Sequence, residues 1–362
     1  MASTSFDMTA VGACELIRAE AVDIAKENAP FLLGRATGAL DFITNPQNGT
    51  IAQTVISDPG EKVHTLRILY DQRTKPCQVS TDPNTNICND TTITTPRKQA
   101  FVNIDKKITS PARYFSNNDL VVNCMPKSEF IRQRLMNDLR ATRERFDEII
   151  LAELNARVGI IQSWDGTTTA AGSYRNNQLL SIQSAQDIPL PANYENIIMD
   201  YQNMEFSGTP AIIGQGYLDK FFKLQQMSCC NSATPYAEAL QAAGAAYYFD
   251  QAANSVLGAN KFIVVPYGIV HLLTFNKNNN ISINTELEAH TVVTDPVNPA
   301  IKWNLDFKWD CTVEQWKYEY SLHWTLFNVI QSDSFGIDTG TPDCGDELLG
   351  VTGIFGYQAT RS

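Results

Sequence analysis

The chain has 362 residues, 43% of them hydrophobic and 19% charged, with a formal net charge of −11. That much apolar material excludes a globally disordered chain. The excess of 39 Asp+Glu over 28 Lys+Arg excludes a dedicated nucleic-acid reader, whose phosphate contacts need clustered cations. The charge is uneven: residues 1–158 carry 19 basic and 19 acidic side chains, whereas residues 159–362 carry 9 and 20. The opening Met1-Ala-Ser-Thr-Ser-Phe-Asp has neither the basic nor the apolar region of a secretory signal, and no run of about 18 apolar residues follows.

Residues 9–28 read as a short helix, with Val11, Ile17, Val22 and Ile24 among Glu and Ala, ended by Pro30. The next segment, Phe31 to Ile43, is apolar and Gly-punctuated without a clean period, and reads as an extended arm that needs a partner surface. Residues 46–118 are rich in Thr, Asn, Asp and Pro. Val63–Tyr70 and Gln99–Ile108 are their best strands, and turn formers dominate Pro76–Asp90 between them. A long two-stranded hairpin is the natural reading, and such a hairpin must lie against something because it is marginal alone in water.

Residues 127–158 carry the strongest helical signal. Ile131, Leu135, Leu139, Thr142, Phe146, Ile149/Ile150, Leu154 and Val158 recur every three or four residues, with Ser128 as the expected N-cap and Gly159 as the stop. Such a helix is roughly 45 Å long at 1.5 Å per residue. Its other faces alternate in sign, and pairs such as Arg134–Asp138 and Arg140–Glu144 each add about 0.2–0.5 kcal/mol. After a Gly/Thr/Ser/Asn/Pro-rich connector at 160–191, residues 193–284 read as an α/β unit. Helices are expected over Glu195–Phe206, Tyr217–Met227 and 236–246, with strands at Pro210–Gly214, Phe262–Val265 and Ile269–Phe275. In residues 301–330, Trp303, Leu305, Phe307 and Trp309, then Trp316, Tyr318, Tyr320, Leu322, Trp324 and Leu326, alternate with polar residues. That is an antiparallel hairpin with one heavy aromatic face, and the long helix is the obvious cover for it. The tail 331–362 is Gly-rich and acidic.

No chemistry stands out. Gly214-Gln215-Gly216-Tyr217-Leu218-Asp219 begins like a dinucleotide fingerprint but places an acid where the third glycine belongs. His271, inside an apolar run, reads as a satisfied core residue, His323 as a surface one, and His64 and His290 have no acid or nucleophile at a telling spacing. Glu144, Asp147 and Glu148 lie among arginines and read as a solvated or interface face. None of the eight cysteines forms a C-x-x-C pair, so free thiols are expected, with Cys77 and Cys88 a weak disulfide candidate. No cofactor or metal is indicated. An enzyme or small-ligand-binding protein built on 193–284 is the competing reading.

The order of parts resembles the major capsid proteins of tailed bacteriophages, the fold shared with herpesvirus shells. Ile301-Lys-Trp-Asn-Leu-Asp-Phe-Lys-Trp-Asp-Cys and Gln315-Trp-Lys-Tyr-Glu-Tyr-Ser-Leu-His-Trp-Thr-Leu-Phe are similar to closing strands of capsid proteins from phages infecting Bacteroidetes. The resemblance implies an α+β fold: N-terminal helix and arm (1–45), extended β-hairpin loop (46–118), peripheral domain with spine helix 127–158 (119–192), α/β axial domain (193–284), and return strands with a tail (285–362). It implies a virion protein, made in the host bacterial cytoplasm, that self-assembles into hexamers and pentamers around double-stranded DNA. Scaffolding protein, portal and decoration proteins are the implied partners, packaged DNA is touched only non-specifically, and no membrane is involved. Subunit contacts are then expected from the arm (Phe31, Leu32, Leu33) and the loop (Arg73, Lys75, Arg97, Lys98). The spine helix adds Arg132, Arg140, Arg143, Glu144, Arg145 and Glu148. The acidic second half is expected on exposed shell surface.

Overall fold

The computed structural model describes residues 34–48, 52–55, 64–71, 97–115, 127–181, 188–189, 192–204, 206, 210–214, 246–276, 288–329 and 352–361. The helices expected at 9–28 and Tyr217–Met227, most of that at 236–246, the turn-rich stretch 76–90 and most of the acidic tail lie outside them.

In chain order, a short helix α1 (Gly38–Ile43) is followed by strands β1 (Ala52–Val55), β2 (His64–Asp71), β3 (Arg97–Ile104), β4 (Lys106–Thr109) and β5 (Arg113–Phe115). The long helix α2 (Lys127–Ala156) comes next, then β6 (Ile161–Gln162), β7 (Thr168–Thr169), β8 (Arg175–Ser181), β9 (Ile188–Pro189) and helix α3 (Ala192–Asn203). The chain continues through β10 (Pro210–Gly214), β11 (Ala246–Phe249), a one-turn helix α4 (Ala253–Val256), β12 (Lys261–Pro266), β13 (Val270–Phe275) and β14 (Glu288–Thr294). It ends in β15 (Lys302–Asp310), β16 (Gln315–Asn328) and β17 (Phe355–Arg361). The fold is α+β.

The aromatic hairpin forms as its alternation demands. β15 and β16 pair antiparallel with Trp309 opposite Trp316 and Leu305 opposite Tyr320. Trp303, Leu305, Phe307, Tyr318, Tyr320, Leu322, Trp324 and Leu326 are buried beneath α2. The apolar stripe of α2 supplies Leu135, Leu139, Phe146, Ile150 and Leu154 to the same core. β16 is the central strand of this sheet. Ser321 is opposite both Asn304 and Thr109, and His323 is opposite both Phe275 and Lys107. A strand residue has only two lateral neighbours, so β15 and β13 share one flank of β16 while β4 and β5 occupy the other.

The opposite face of that sheet was expected to be polar and wet. Ser321 and Thr325 on it are buried, however, because β2 and β3 pack there: Leu66, Ile68 and Ile104 cluster with Leu273 and Phe327. The hairpin thus finds the support it needs on its own chain. It is also three-stranded rather than two-stranded, because β1 pairs with β2 (Ala52 opposite Leu69). A third strand satisfies backbone groups that a lone hairpin leaves at its edge.

The remaining large sheet has the order β11-β10-β12-β17-β8-β9. Here three expectations are corrected. β13 does not belong with β10 and β12 but pairs with β16, so the 193–284 unit does not close as one sheet. The end of the tail is no exposed appendage, since β17 lies between β12 and β8 and buries Phe355 and Tyr357. The acids of the second half are not uniformly exposed either: Asp200, Asp250 and Asp295 are buried within the subunit. Helix α3 covers one face of this sheet with Ile197, Tyr201 and Met204 against Ile212, Phe262, Val264 and Tyr357. The alternate residues Ala211, Ile213, Ile263 and Val265 face the main core. Burial on both faces explains why these strands read as continuous apolar runs.

The ends of α2 also differ in detail. The helix starts at Lys127, so Ser128 lies inside it and is not the cap. Gly159 is not among the left-handed glycines; its N–H donates instead to the Ile354 carbonyl at 2.9 Å.

Candidate functional site

The polar surface of α2 and the segment that crosses it form the richest polar constellation among the described residues. Residues 34–48 are not an extended arm. Gly34 has a φ of +56°, a left-handed value that favours glycine, and a Cβ there would press into the side chains of Arg140 and Glu144. Arg35 then clasps α2. Its backbone N–H donates to Glu144 Oε1 at 3.1 Å, and its guanidinium donates to Glu148 Oε1 at 2.7 Å and to the Glu144 carbonyl. Beyond it, Ala39, Leu40, Phe42 and Ile43 are buried in the main core. Asn45 Nδ2 donates to Tyr248 Oη at 2.6 Å, Asn48 Nδ2 to the Phe42 carbonyl at 2.6 Å, and Gly268 N–H to Asn48 Oδ1 at 3.1 Å. Of the apolar arm residues, those at 39–43 find their partner surface on their own subunit, and Phe31, Leu32 and Leu33 lie outside the described residues.

Helix α1 has no side-chain cap from Thr37. Two acids brought from elsewhere replace it: Ala39 N–H donates to Asp250 Oδ2 at 3.0 Å, and Leu40 N–H donates to Asp147 Oδ1 at 3.1 Å. Both acids are buried. Burial, then the neighbouring Asp250, pushes the Asp147 carboxyl up to about 8, and burial raises Asp250 and Asp41 as well.

The expected contact residues separate by where the structure places them. Arg140 and Arg145 stand at the surface of α2, Arg140 4.0 Å from Glu144 and Arg145 paired with Glu148. Glu144 and Glu148 are half-buried, and both hold Arg35. Arg143 is corrected: it is 2% exposed and paired with Asp295 at 3.3 Å inside the subunit, so it faces the core and not a neighbour. A 3.6-residue period cannot separate it from Arg140 when a polar pocket interrupts the apolar stripe. Arg132 belongs to α2, and Arg97 and Lys98 belong to β3 opposite Asp71 and Tyr70. Phe31, Leu32, Leu33, Arg73 and Lys75 lie outside the described residues.

The exposed Phe101 was missed. Phe101 is 61% exposed on β3, on the face opposite Val102 and Ile104. The strand's alternation would have placed it with Asn103 on the outer face.

The histidines divide as their neighbours dictate. His271 is buried with its Nε2 3.0 Å from the Gly268 carbonyl, and burial lowers its pKa. His290 does have an acid: Asp306, directly opposite across β14 and β15, at 2.5 Å from Nδ1. A spacing of sixteen residues hides that pair in the sequence. A further polar knot joins Arg175 to Asp165 at 3.1 Å and to Asp200 and Ser163, with Tyr357 Oη donating to Asp200 at 3.2 Å. It ties α3 to β8 and β17. Gly214 ends β10, and residues 215–219 of the glycine motif lie outside the described residues. Cys311 is an exposed free thiol, and the other seven cysteines lie outside the described residues.

Among the described residues, no group of three or more His, Cys, Asp or Glu is placed to hold a metal ion. No described helix is long and apolar enough to cross a membrane.

No protein-family model and no curated protein sequence matches this chain. Among solved structures it is similar to that of Mycobacterium phage Che8 at 8% identity and a TM-score of 0.38, over 86% of this chain and 93% of that one. It is similar to the capsid of Ralstonia phage GP4 at 7% identity and a TM-score of 0.40, over 82% and 84%. The capsid of Myoviridae phage XM1 is similar at 12% identity and a TM-score of 0.38, over 89% and 90%.

Proposed function

We propose that this chain is a shell-forming structural protein, a major capsid protein of the tailed-phage type. It assembles into hexamers and pentamers that enclose double-stranded DNA. The observation that carries this reading is the chain's own order of parts. A three-stranded sheet (β1–β3) precedes a 30-residue helix laid over the aromatic β15–β16 hairpin, and a further, mixed sheet completes the subunit. A subunit that tiles a shell needs surfaces to meet its neighbours more than it needs a catalytic group. The outer face of β2–β3, with Arg67, Phe101 and Asn103, and the exposed rim of α2 at Arg140 and Arg145 serve as contacts between like subunits. Interfaces of obligate assemblies bury about 2,000–5,000 Å² or more, which is why several separate surfaces are needed. A scaffolding protein and a portal are its partners during assembly, decoration proteins are optional additions to the shell, the virion is its location, and packaged DNA meets the shell through non-specific contact.

Electron microscopy of the expressed protein tests this directly. Rings, sheets or closed shells are the expected result; a monodisperse monomer under all assembly conditions would sink the reading. A second expectation concerns the loop. Deleting residues 76–96 leaves residues 72–75 to join Asp71 to Arg97, which already face each other, and four-residue hairpin connections are common. Subunit folding, read by circular dichroism and urea unfolding, should survive, while shell formation is abolished. Loss of the subunit fold would contradict the assignment.

A further inference from the structure

Helix α1 begins on two adjacent N–H groups, and two carboxyls from distant parts of the chain meet them. Asp147 comes from α2, and Asp250 follows directly after β11. Their acceptor atoms lie 3.1 Å and 3.0 Å from consecutive amides, Leu40 N and Ala39 N, so the two carboxyls stand side by side. Each carboxyl thus lies within electrostatic reach of the other, and the Asp250 charge disfavours ionisation of Asp147. Two carboxyl groups held side by side can hydrogen-bond to each other only when a proton lies between them, because ionised carboxylates are acceptors alone. Asp147 Oδ2 is the oxygen available to carry it: it accepts no hydrogen bond from the described residues, and Arg35 Nη2 stands 3.7 Å away.

We propose that Asp147 and Asp250 share one proton and form a pH-operated latch that holds residues 34–48 against the long helix.

The surrounding charges explain why the proton stays. Arg143, on α2, is engaged by Asp295 from the turn after β14 at 3.3 Å. Arg35, from the N-terminal segment, is divided between Asp147 and Glu148, with Glu144 beside it. Asp41 on α1 adds a further acid near both members of the pair. Three buried aspartates, Asp147, Asp250 and Asp295, thus face two guanidiniums, with the exposed Asp41 and the half-buried Glu144 and Glu148 at the rim. Full ionisation would leave uncompensated negative charge away from water, and protonation of the pair removes it.

Burial raises both carboxyls above their ordinary value, which is about 3.9 in an unfolded chain. A group with a raised pKa in the closed state binds more protons there than in the open state. The latch is therefore fully closed below about pH 4. It weakens as pH rises, by about tenfold in the closing equilibrium per pH unit. Above the closed-state value of about 8 for Asp147 the loss levels off.

Hydrogen–deuterium exchange on the full chain between pH 5 and pH 9, corrected for the intrinsic exchange rate, tests the latch at the Ala39 and Leu40 amides. Protection should fall by about tenfold per pH unit toward pH 8 and then flatten. In Asp147→Asn, the amide donates to Asp250 where the proton did while its oxygen still accepts from Leu40, so protection should be independent of pH. A flat profile in the unmodified protein overturns the proposal, and so does an unchanged slope in the variant. Should the variant fail to fold, infrared spectroscopy of the unmodified protein decides. A protonated-carboxyl band present at pH 7 and lost by pH 9 supports the shared proton, and its absence at pH 7 overturns it.

Discussion

Replacing Phe146 with alanine is expected to destabilise the subunit by about 3–5 kcal/mol, the range for removing a fully buried aromatic ring from a core. Phe146 is 0% exposed and sits where α2 meets the hairpin. Its ring meets Trp303 edge-on at 5.8 Å and Trp324 edge-on at 5.2 Å. The substitution loses transferred apolar area and both edge-to-face contacts, each worth about 0.5–1.5 kcal/mol. It also leaves a cavity, because indoles held by the β15–β16 ladder cannot collapse into the space. Urea unfolding of the unassembled subunit measures the effect. Arg145→Ala on the same helix is the control, since Arg145 is 69% exposed and its loss should stay within about 0.5 kcal/mol. A Phe146→Ala cost as small as that of the control would mean that α2 and the aromatic sheet do not share a core.

Asp295→Ala is expected to cost a similar amount, about 3–5 kcal/mol, for an electrostatic reason. Asp295 is completely buried and serves four donors. Its Oδ1 accepts from Arg143 Nη1 at 3.3 Å, Val297 N–H at 2.9 Å and Asn298 N–H at 3.1 Å, and its Oδ2 accepts from Trp303 Nε1 at 3.1 Å. Alanine deprives the buried Arg143 of its carboxylate and the indole of its acceptor, and strips the turn at 295–298 of its two side-chain bonds. The penalty comes mainly from the charge left behind, so removing both charges should be milder than removing one. The double variant Arg143→Met, Asp295→Asn should therefore be more stable than Asp295→Ala in urea unfolding. If the double variant is the worse of the two, the pair contributes more as an interaction than as a neutralised burden, and the electrostatic account fails.

The two variants mark the boundary between what periodicity reveals and what it hides. Phe146 could be placed in the core from its spacing alone, because the 3.6-residue period of α2 and the two-residue period of β15 and β16 are local properties. The same holds for β2 and β3, whose alternation needs only the strand itself. Asp147, one residue further on, has the opposite history. Between Phe146 and Glu148 it reads as part of a solvated face, and it would be solvated if α1 did not arrive from 107 residues away to bury it. Arg143 was misplaced for the same reason: its carboxylate partner is 152 residues distant.

What the sequence by itself determined, then, was the set of strongly periodic elements and the aromatic face that α2 covers. Tertiary structure decided everything that depends on distant neighbours. It put residues 34–48 into their own subunit, made the C-terminal β17 a central strand, moved β13 to the other sheet, and turned scattered acids into one dehydrated cluster. The physical reason is that a side chain's environment, and with it the cost of its charge, is set by the segments that exclude water from it. In this chain those segments lie more than a hundred residues away.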